Sequence, residues 1–214
     1  MSKLIIFDWD GTIVDSTSHI VNAVNFAAKK TLKKEKLDTE IKQVIGLSLV
    51  EAFKFLFGAE YMDQFDYFRD EYKKYYVLDR PQMFQGIELV LKELKKNNYQ
   101  LAVATGKSRK GLENDINVFQ LTGMFDSTQT VDECFSKPNP QMIENILKEL
   151  GFEKNNTLMV GDSIHDQKMA ANANVDFLAV LYGVLGKNDF ESQDKFLYAE
   201  TVFDILYGVK KWNN

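Results

Sequence analysis

Asp8, Asp10, Thr105, Lys137, Asp162 and Asp166 are the residues whose types and settings could do chemistry together. Asp8 closes the apolar run LIIFD (4–8), and Asp10 and Gly11 follow within three residues. A carboxylate at the mouth of an apolar strand is costly unless something pairs with it. In an extended chain Asp8 and Asp10 point to one side and Trp9 to the other. Two carboxylates so placed can divide the labour, one toward metal and substrate, the other toward a proton. Gly11 lets the backbone turn tightly and leaves amides free to meet an anion. Four acids gathered in one place would force protons onto some of them, and a divalent cation removes that conflict. An oxygen-only ligand set, in a chain with one cysteine and two histidines, points to Mg²⁺ rather than zinc. Phosphate is the anion that fits, because Lys137 supplies a point charge and Thr105 a hydroxyl donor.

For these residues to meet, the chain must set them at equivalent strand ends. Four runs read as strands: LIIFD (4–8), YQLAVAT (99–105), TLMVGD (157–162) and VDFLAV (175–180). Their continuous apolarity suits strands covered on both faces, as in a parallel sheet. Between them, GIELVLKELKKNN (86–98) places Ile87, Val90, Leu91 and Leu94 on one helical face. NPQMIENILKELG (139–151) does the same with Ile143, Ile146, Leu147 and Leu150, with Pro140 at its start and Gly151 just past its end. This alternation predicts a doubly wound α/β sheet, whose ligand crevice lies at the strands' C-terminal ends. Residues 16–80 break the rhythm with helical periodicity only. The predicted division is a core of residues 1–15 and 81–214 and a small α-helical cap, 16–80, inserted after the first strand. The charge run KKTLKKEK (29–36) reads as a solvated helix end.

Composition narrows the function. The 214 residues are 45% hydrophobic and 13% aromatic, enough for a substantial core, and the net charge of −5 argues against nucleic acid or a membrane surface as partner. Cys134 alone excludes a disulfide framework and a cysteine zinc site. The N-terminal run holds four apolar residues before a charge, too few for a leader or a span. The expectation is a soluble cytoplasmic protein, monomer or homodimer, acting on a small phosphorylated metabolite.

The motifs resemble those of the haloacid dehalogenase superfamily. DWDGTIVDS (8–16) is similar to the first motif of its phosphatase branch, VATGKS (103–108) to the second, SKPNP (136–140) to the third and GDSIHDQKMA (161–170) to the fourth. All four occur in order, with an insert between the first and second. The resemblance implies a Mg²⁺-dependent phosphatase in which Asp8 attacks phosphorus to form an aspartyl-phosphate. Asp10 would protonate the leaving alcohol and then take a proton from water. It also implies that Asp8, the Asp10 carbonyl and Asp162 hold the metal, with Asp166 at or near it. Thr105 and Lys137, assisted by the amides of Gly11 or Gly106, would bind the phosphoryl oxygens. GLSLVEAF (46–53) is similar to the cap loop of phosphoglycolate phosphatase-like members.

Other readings stand beside these. A phosphomutase of the β-phosphoglucomutase type would carry an arginine in the cap loop, and VIGLSLVEAF (44–53) has none. A phospho-receiver domain also gathers acids, Thr and Lys, but without a helical insert. Asp10-Gly11 also suits a plain turn, Thr105-Gly106 a helix cap, Asp166 a cap of its own helix and Lys137 a surface position. Lys107 and Arg109 read as solvated helix-start residues, His19 and His165 as surface or helix-end residues, and Cys134 as inert. Trp9 should face away from the site.

Overall fold

The computed structural model describes residues 3–78, 80–190 and 197–213. In chain order the elements are β1 (Lys3–Phe7), β2 (Val14–Asp15), α1 (Thr17–Thr31), α2 (Asp38–Lys42), α3 (Leu49–Phe57), α4 (Phe65–Leu78), β3 (Gln82–Met83), α5 (Ile87–Lys96), β4 (Tyr99–Thr105), α6 (Arg109–Val118), β5 (Ser127–Thr130), α7 (Gln141–Leu150), β6 (Thr157–Gly161), α8 (Ile164–Ala173), β7 (Asp176–Val180), β8 (Leu197–Ala199) and α9 (Asp204–Trp212).

Leu4, Ile5, Ile6 and Phe7 are all fully buried, as a continuous apolar run demands of a strand covered on both faces. Their alternation sorts them into two cores. Ile5 and Phe7 join Leu101, Val103, Leu158 and Val160 beneath α5, α6 and α9. Leu4 and Ile6 join Ala102, Ala104 and Met159 beneath α7 and α8. The chain is thus a doubly wound α/β fold. Among the described residues its main sheet has six parallel strands in the order β5-β4-β1-β6-β7-β8. Strand β1 lies at the centre, with β4 on one side and β6 on the other. The chain runs from β1 to β4 and β5 on one side, then crosses back to β6 on the other side of β1, and this change of direction opens a crevice at the carboxyl ends of these strands.

Helices α1 to α4 run between β2 and β3. They bury Val24, Ala27, Ile41, Phe53, Leu56 and Phe68 in an apolar cluster of their own. Where the chain leaves and returns, β2 and β3 pair antiparallel, Val14 opposite Met83 and Asp15 opposite Gln82. The ribbon ties the two ends of this helical segment together. The run at 29–36 is a largely exposed helix end, with ion pairs from Lys29 to Glu35 and from Lys36 to Glu40.

Candidate active site

The three central strands deliver the site. Asp8 follows the last residue of β1, Thr105 ends β4, and Asp162 follows the last residue of β6. The Asp8 amide still donates to the Val160 carbonyl at 2.9 Å, so its position is fixed by the sheet. Lys137 comes from the loop before α7, and its Nζ lies 2.6 Å from Asp8 Oδ1 and 2.7 Å from Asp166 Oδ1. Asp162 accepts from Thr12 Oγ1 at 3.1 Å and from the Val184 amide at 2.9 Å. Asp166 also caps its own helix, accepting from the Ser163 amide at 3.1 Å. Asp8, Lys137, Asp162 and Asp166 are each at most 1% exposed.

Three buried carboxylates face one lysine, and the imbalance sets the electrostatics. Burial, then Asp166, pushes the Asp8 carboxyl well above its usual range, against the pull of Lys137. Asp162 is pushed up to about 7 by the same two causes. Burial alone would lower the Lys137 amine, yet Asp166 and Asp8 together hold it above its ordinary value. Asp8 Oδ2 is buried and accepts no hydrogen bond. Ligand oxygens of Asp8, Asp162 and Asp166 lie within 4.8 Å of one another. An unsatisfied carboxylate oxygen among surplus acids, with oxygen donors only, fits a hard divalent cation. Gly11 makes the close approach possible. Its φ of +83° suits glycine, and a Cβ there would sit 2.0 Å from Asp162 Oδ2.

The Asp10 carboxylate makes its contacts outside the acidic trio. Its Oδ1 accepts from the Tyr76 hydroxyl of α4 at 3.2 Å, and Lys107 Nζ is 3.4 Å from both its oxygens. Lys107 Nζ also donates to the Tyr76 hydroxyl at 2.9 Å and lies 3.2 Å from Asp115 Oδ2. Trp9 turns away from the crevice, as expected, into the core, where its Nε1 donates to Asp115 at 3.2 Å. Burial would lower the Lys107 amine, but Asp10 and Asp115 outweigh it and hold it above its usual range. Lys107 is therefore not the solvated helix-start residue expected. The side chain is only 11% exposed, because two carboxylates and a phenol draw it inward. His19 departs from a surface reading too. It sits in the first turn of α1, yet it is buried against the rings of Tyr75 and Tyr76.

The haloacid dehalogenase-like hydrolase family matches residues 5–180. The chain belongs to that family. As a member, this hydrolase is 26% identical over 211 residues to the pyrophosphatase PpaX of Halalkalibacterium halodurans, covering 96% of this chain and 97% of the relative. Among solved structures it superposes on a hydrolase from Pseudomonas syringae with a TM-score of 0.86 at 22% identity, covering 98% of this chain and 99% of the other. A predicted phosphoglycolate phosphatase from Haemophilus somnus 129pt gives a TM-score of 0.80 at 24% identity, covering 96% and 97% of the two chains. These two structures share its fold. Among the described residues, no helix is long and apolar enough to cross a membrane.

Of the residues expected in the site, Asp8, Lys137, Asp162 and Asp166 are in direct contact or close proximity in this hydrolase. Thr105 is buried at the adjoining strand end, its hydroxyl accepting from the Lys107 amide at 3.2 Å. Gly106 lies under the loop between α2 and α3, where a Cβ would meet the Leu47 and Gly46 carbonyl oxygens at 2.5 and 2.6 Å. That loop is tied to the core elsewhere. The Ser48 amide donates to Ser136 Oγ at 2.9 Å, and His165 Nε2 lies 2.9 Å from the Gln43 carbonyl. Arg109 turns aside to Glu133 and Thr128. Cys134 meets Gln129 and Asn145 outside the site. The structure adds Thr12, Tyr76 and Asp115 to these residues. Thr12 stands beside Asp10-Gly11, where the motif marks it; no sequence signal marks Tyr76 or Asp115.

Proposed function

We propose that this hydrolase is a phosphatase that cleaves a small phosphate monoester through an aspartyl-phosphate on Asp8. The observation that carries the reading is the Asp8 carboxylate. One oxygen is held by Lys137 and the other is buried with no hydrogen bond, an anchored nucleophile with a free lone pair. The names of relatives, a pyrophosphatase and a phosphoglycolate phosphatase, support phosphoryl chemistry. In this reading Lys137 and the Thr105 hydroxyl bind the phosphoryl oxygens, and the Gly11 and Gly106 backbones let them approach. Asp10 gives a proton to the leaving oxygen and later takes one from the water that hydrolyses the aspartyl-phosphate. Asp8, Asp162 and Asp166, with the Asp10 carbonyl, are the donors for a Mg²⁺ ion, which would offset the surplus negative charge around the transferring group. Residues 16–80 act as a cap over this site, closing it from water.

The test is phosphate release across a panel of sugar phosphates, phosphoglycolate, nucleotides and pyrophosphate, with Mg²⁺ and with chelator. Turnover of at least one monoester with Mg²⁺, lost on chelation and restored by Mg²⁺, is the expected result. Release from no compound, or release indifferent to chelation, contradicts it.

A further inference from the structure

Asp10 is held from two directions. The hydroxyl of Tyr76 reaches it from α4, the last helix of the insert, and Lys107 reaches it from the turn after β4. An ammonium has three donors, and those of Lys107 have three acceptors within 3.4 Å: Asp10, Asp115 and the Tyr76 oxygen. Asp115 is anchored in turn by the Trp9 indole, and Trp9 is Asp10's neighbour in the chain. The polar circuit therefore closes on itself within the core, with Tyr76 as its one member from the insert. Tyr76 is itself fixed by packing. Its ring lies 4.7 Å from His19 and 5.9 Å from Tyr72, and Lys107 Nζ is 4.3 Å from its centroid. Its hydroxyl donates to Asp10 Oδ1 at 3.2 Å.

We propose that Tyr76 and Lys107 are positioning residues for Asp10, so that docking of the insert's last helix completes the proton-transfer geometry. The inference rests on the phosphatase reading above. As the bond from phosphorus to the leaving oxygen breaks, its electron pair stays on that oxygen and the Asp10 proton moves onto it. Asp10 is left as a carboxylate, in place to take a proton from the attacking water. A carboxyl group free to rotate would miss that oxygen, and misplacement by about 1 Å can lower a rate about 10²-fold. With the insert displaced, Asp10 would keep Lys107 but lose the hydroxyl that fixes its rotation.

A role in proton transfer leaves a signature that a merely structural role does not. kcat/KM reports steps up to release of the first leaving group, and a good leaving group hardly needs the proton. The measurement is kcat/KM with Mg²⁺ on p-nitrophenyl phosphate and on phenyl phosphate for wild type, Asp10→Asn, Tyr76→Phe and Asp115→Asn. Asp10→Asn sets the scale, with a loss on phenyl phosphate of about 10²–10⁴-fold and a much smaller one on p-nitrophenyl phosphate. Tyr76→Phe keeps its ring against His19 and Tyr72 and should melt with the wild type. It should lose about tenfold on phenyl phosphate and under about threefold on p-nitrophenyl phosphate. Asp115→Asn, which loosens Lys107 without touching the insert, should shift the ratio the same way, and it decides the matter if Tyr76→Phe is misfolded. Equal losses on both esters, or none on either, overturn the proposal. If wild type hydrolyses neither ester, or Asp10→Asn is indifferent to the leaving group, the phosphatase or proton-transfer reading itself falls, and this inference with it.

Discussion

Two lysines near the β1 end, Lys137 fully buried and Lys107 mostly so, are each shared between two carboxylates. Lys137 joins Asp8 to Asp166, with contacts of 2.6 and 2.7 Å. Lys107 joins Asp10 to Asp115 at 3.4 and 3.2 Å. The first cluster is sealed and built wholly from the α/β core. The second is looser, 11–15% exposed at Lys107 and Asp10, and includes a hydroxyl from the helical insert. The contrast suggests a division of duties. In the proposed mechanism the surroundings of the nucleophile, Asp8, are permanent, whereas those of the proton-transfer group, Asp10, are complete only with the insert in place.

The largest expected effect falls on the sealed cluster. Asp8→Asn should lower phosphate release by about 10⁴-fold or more, because no other residue replaces a lost nucleophile. The variant should remain folded by circular dichroism, and substantial turnover by a folded variant would break the comparison at its centre. Next come the lysines themselves. Lys137→Met strands two buried carboxylates and should destabilise the protein by about 3–5 kcal/mol in urea unfolding. Lys107→Met leaves Asp10 near water and the Tyr76 hydroxyl, so its loss should be smaller, about 1–2 kcal/mol. Equal losses would show that the two clusters are not built differently.

A third measurement uses proton linkage. The Asp162 carboxyl, pushed up to about 7 by burial and by Asp166, is ionised in the unfolded chain from about pH 4. Between those values the folded state holds a proton that the unfolded state has released, so stability must fall as pH rises through that window. Metal-free protein should therefore melt lower at pH 8 than at pH 5. Mg²⁺ should remove most of the difference by stabilising the ionised form. A melting temperature that is flat with pH in chelator would contradict this. The smallest effect belongs to the looser cluster. Trp9→Phe removes the indole donor to Asp115 and should reduce stability by about 0.5–1.5 kcal/mol, read by denaturant unfolding. A larger loss would place the anchor of that cluster in Trp9's packing rather than in its hydrogen bond.

The same division decides what could be read from sequence. β1, β4, β6 and β7 were legible because strands buried on both faces must be apolar throughout. β5, with the sequence Ser-Thr-Gln-Thr, carries no such signal. It is an edge strand whose Ser127 and Thr130 side chains bond Glu149 and Glu133. The paired residues of β2 and β3 are too few to show a period. β8 comprises only Leu197–Ala199. In the site, Asp8, Lys137, Asp162 and Asp166 could be grouped because each sits at a strand end or in a motif of fixed order. Lys107 was misjudged, since two residues beyond Thr105 nothing in the local pattern tells a solvated lysine from one folded back onto Asp10. Tyr76 does not stand out among the aromatics of α4, of which Phe65, Phe68 and Tyr72 pack within the helical cluster. Contacts made within the sheet follow from local pattern; those across the seam with the insert follow only from tertiary placement.

The burial of the nucleophile has a further consequence for throughput. Asp8, Lys137 and Asp162 are at most 1% exposed and the loop at Gly46–Ser48 lies on Gly106, so on the proposed phosphatase reading a phosphate ester would need these walls to part before it reached Asp8. On that reading each cycle contains a mechanical event, and the chain crosses the seam at the two short strands pairing Val14 with Met83 and Asp15 with Gln82. If residues 16–80 act as the proposed cap, the rate at which that narrow ribbon lets the helices swing aside sets an upper limit on turnover, however fast the bonds are made and broken.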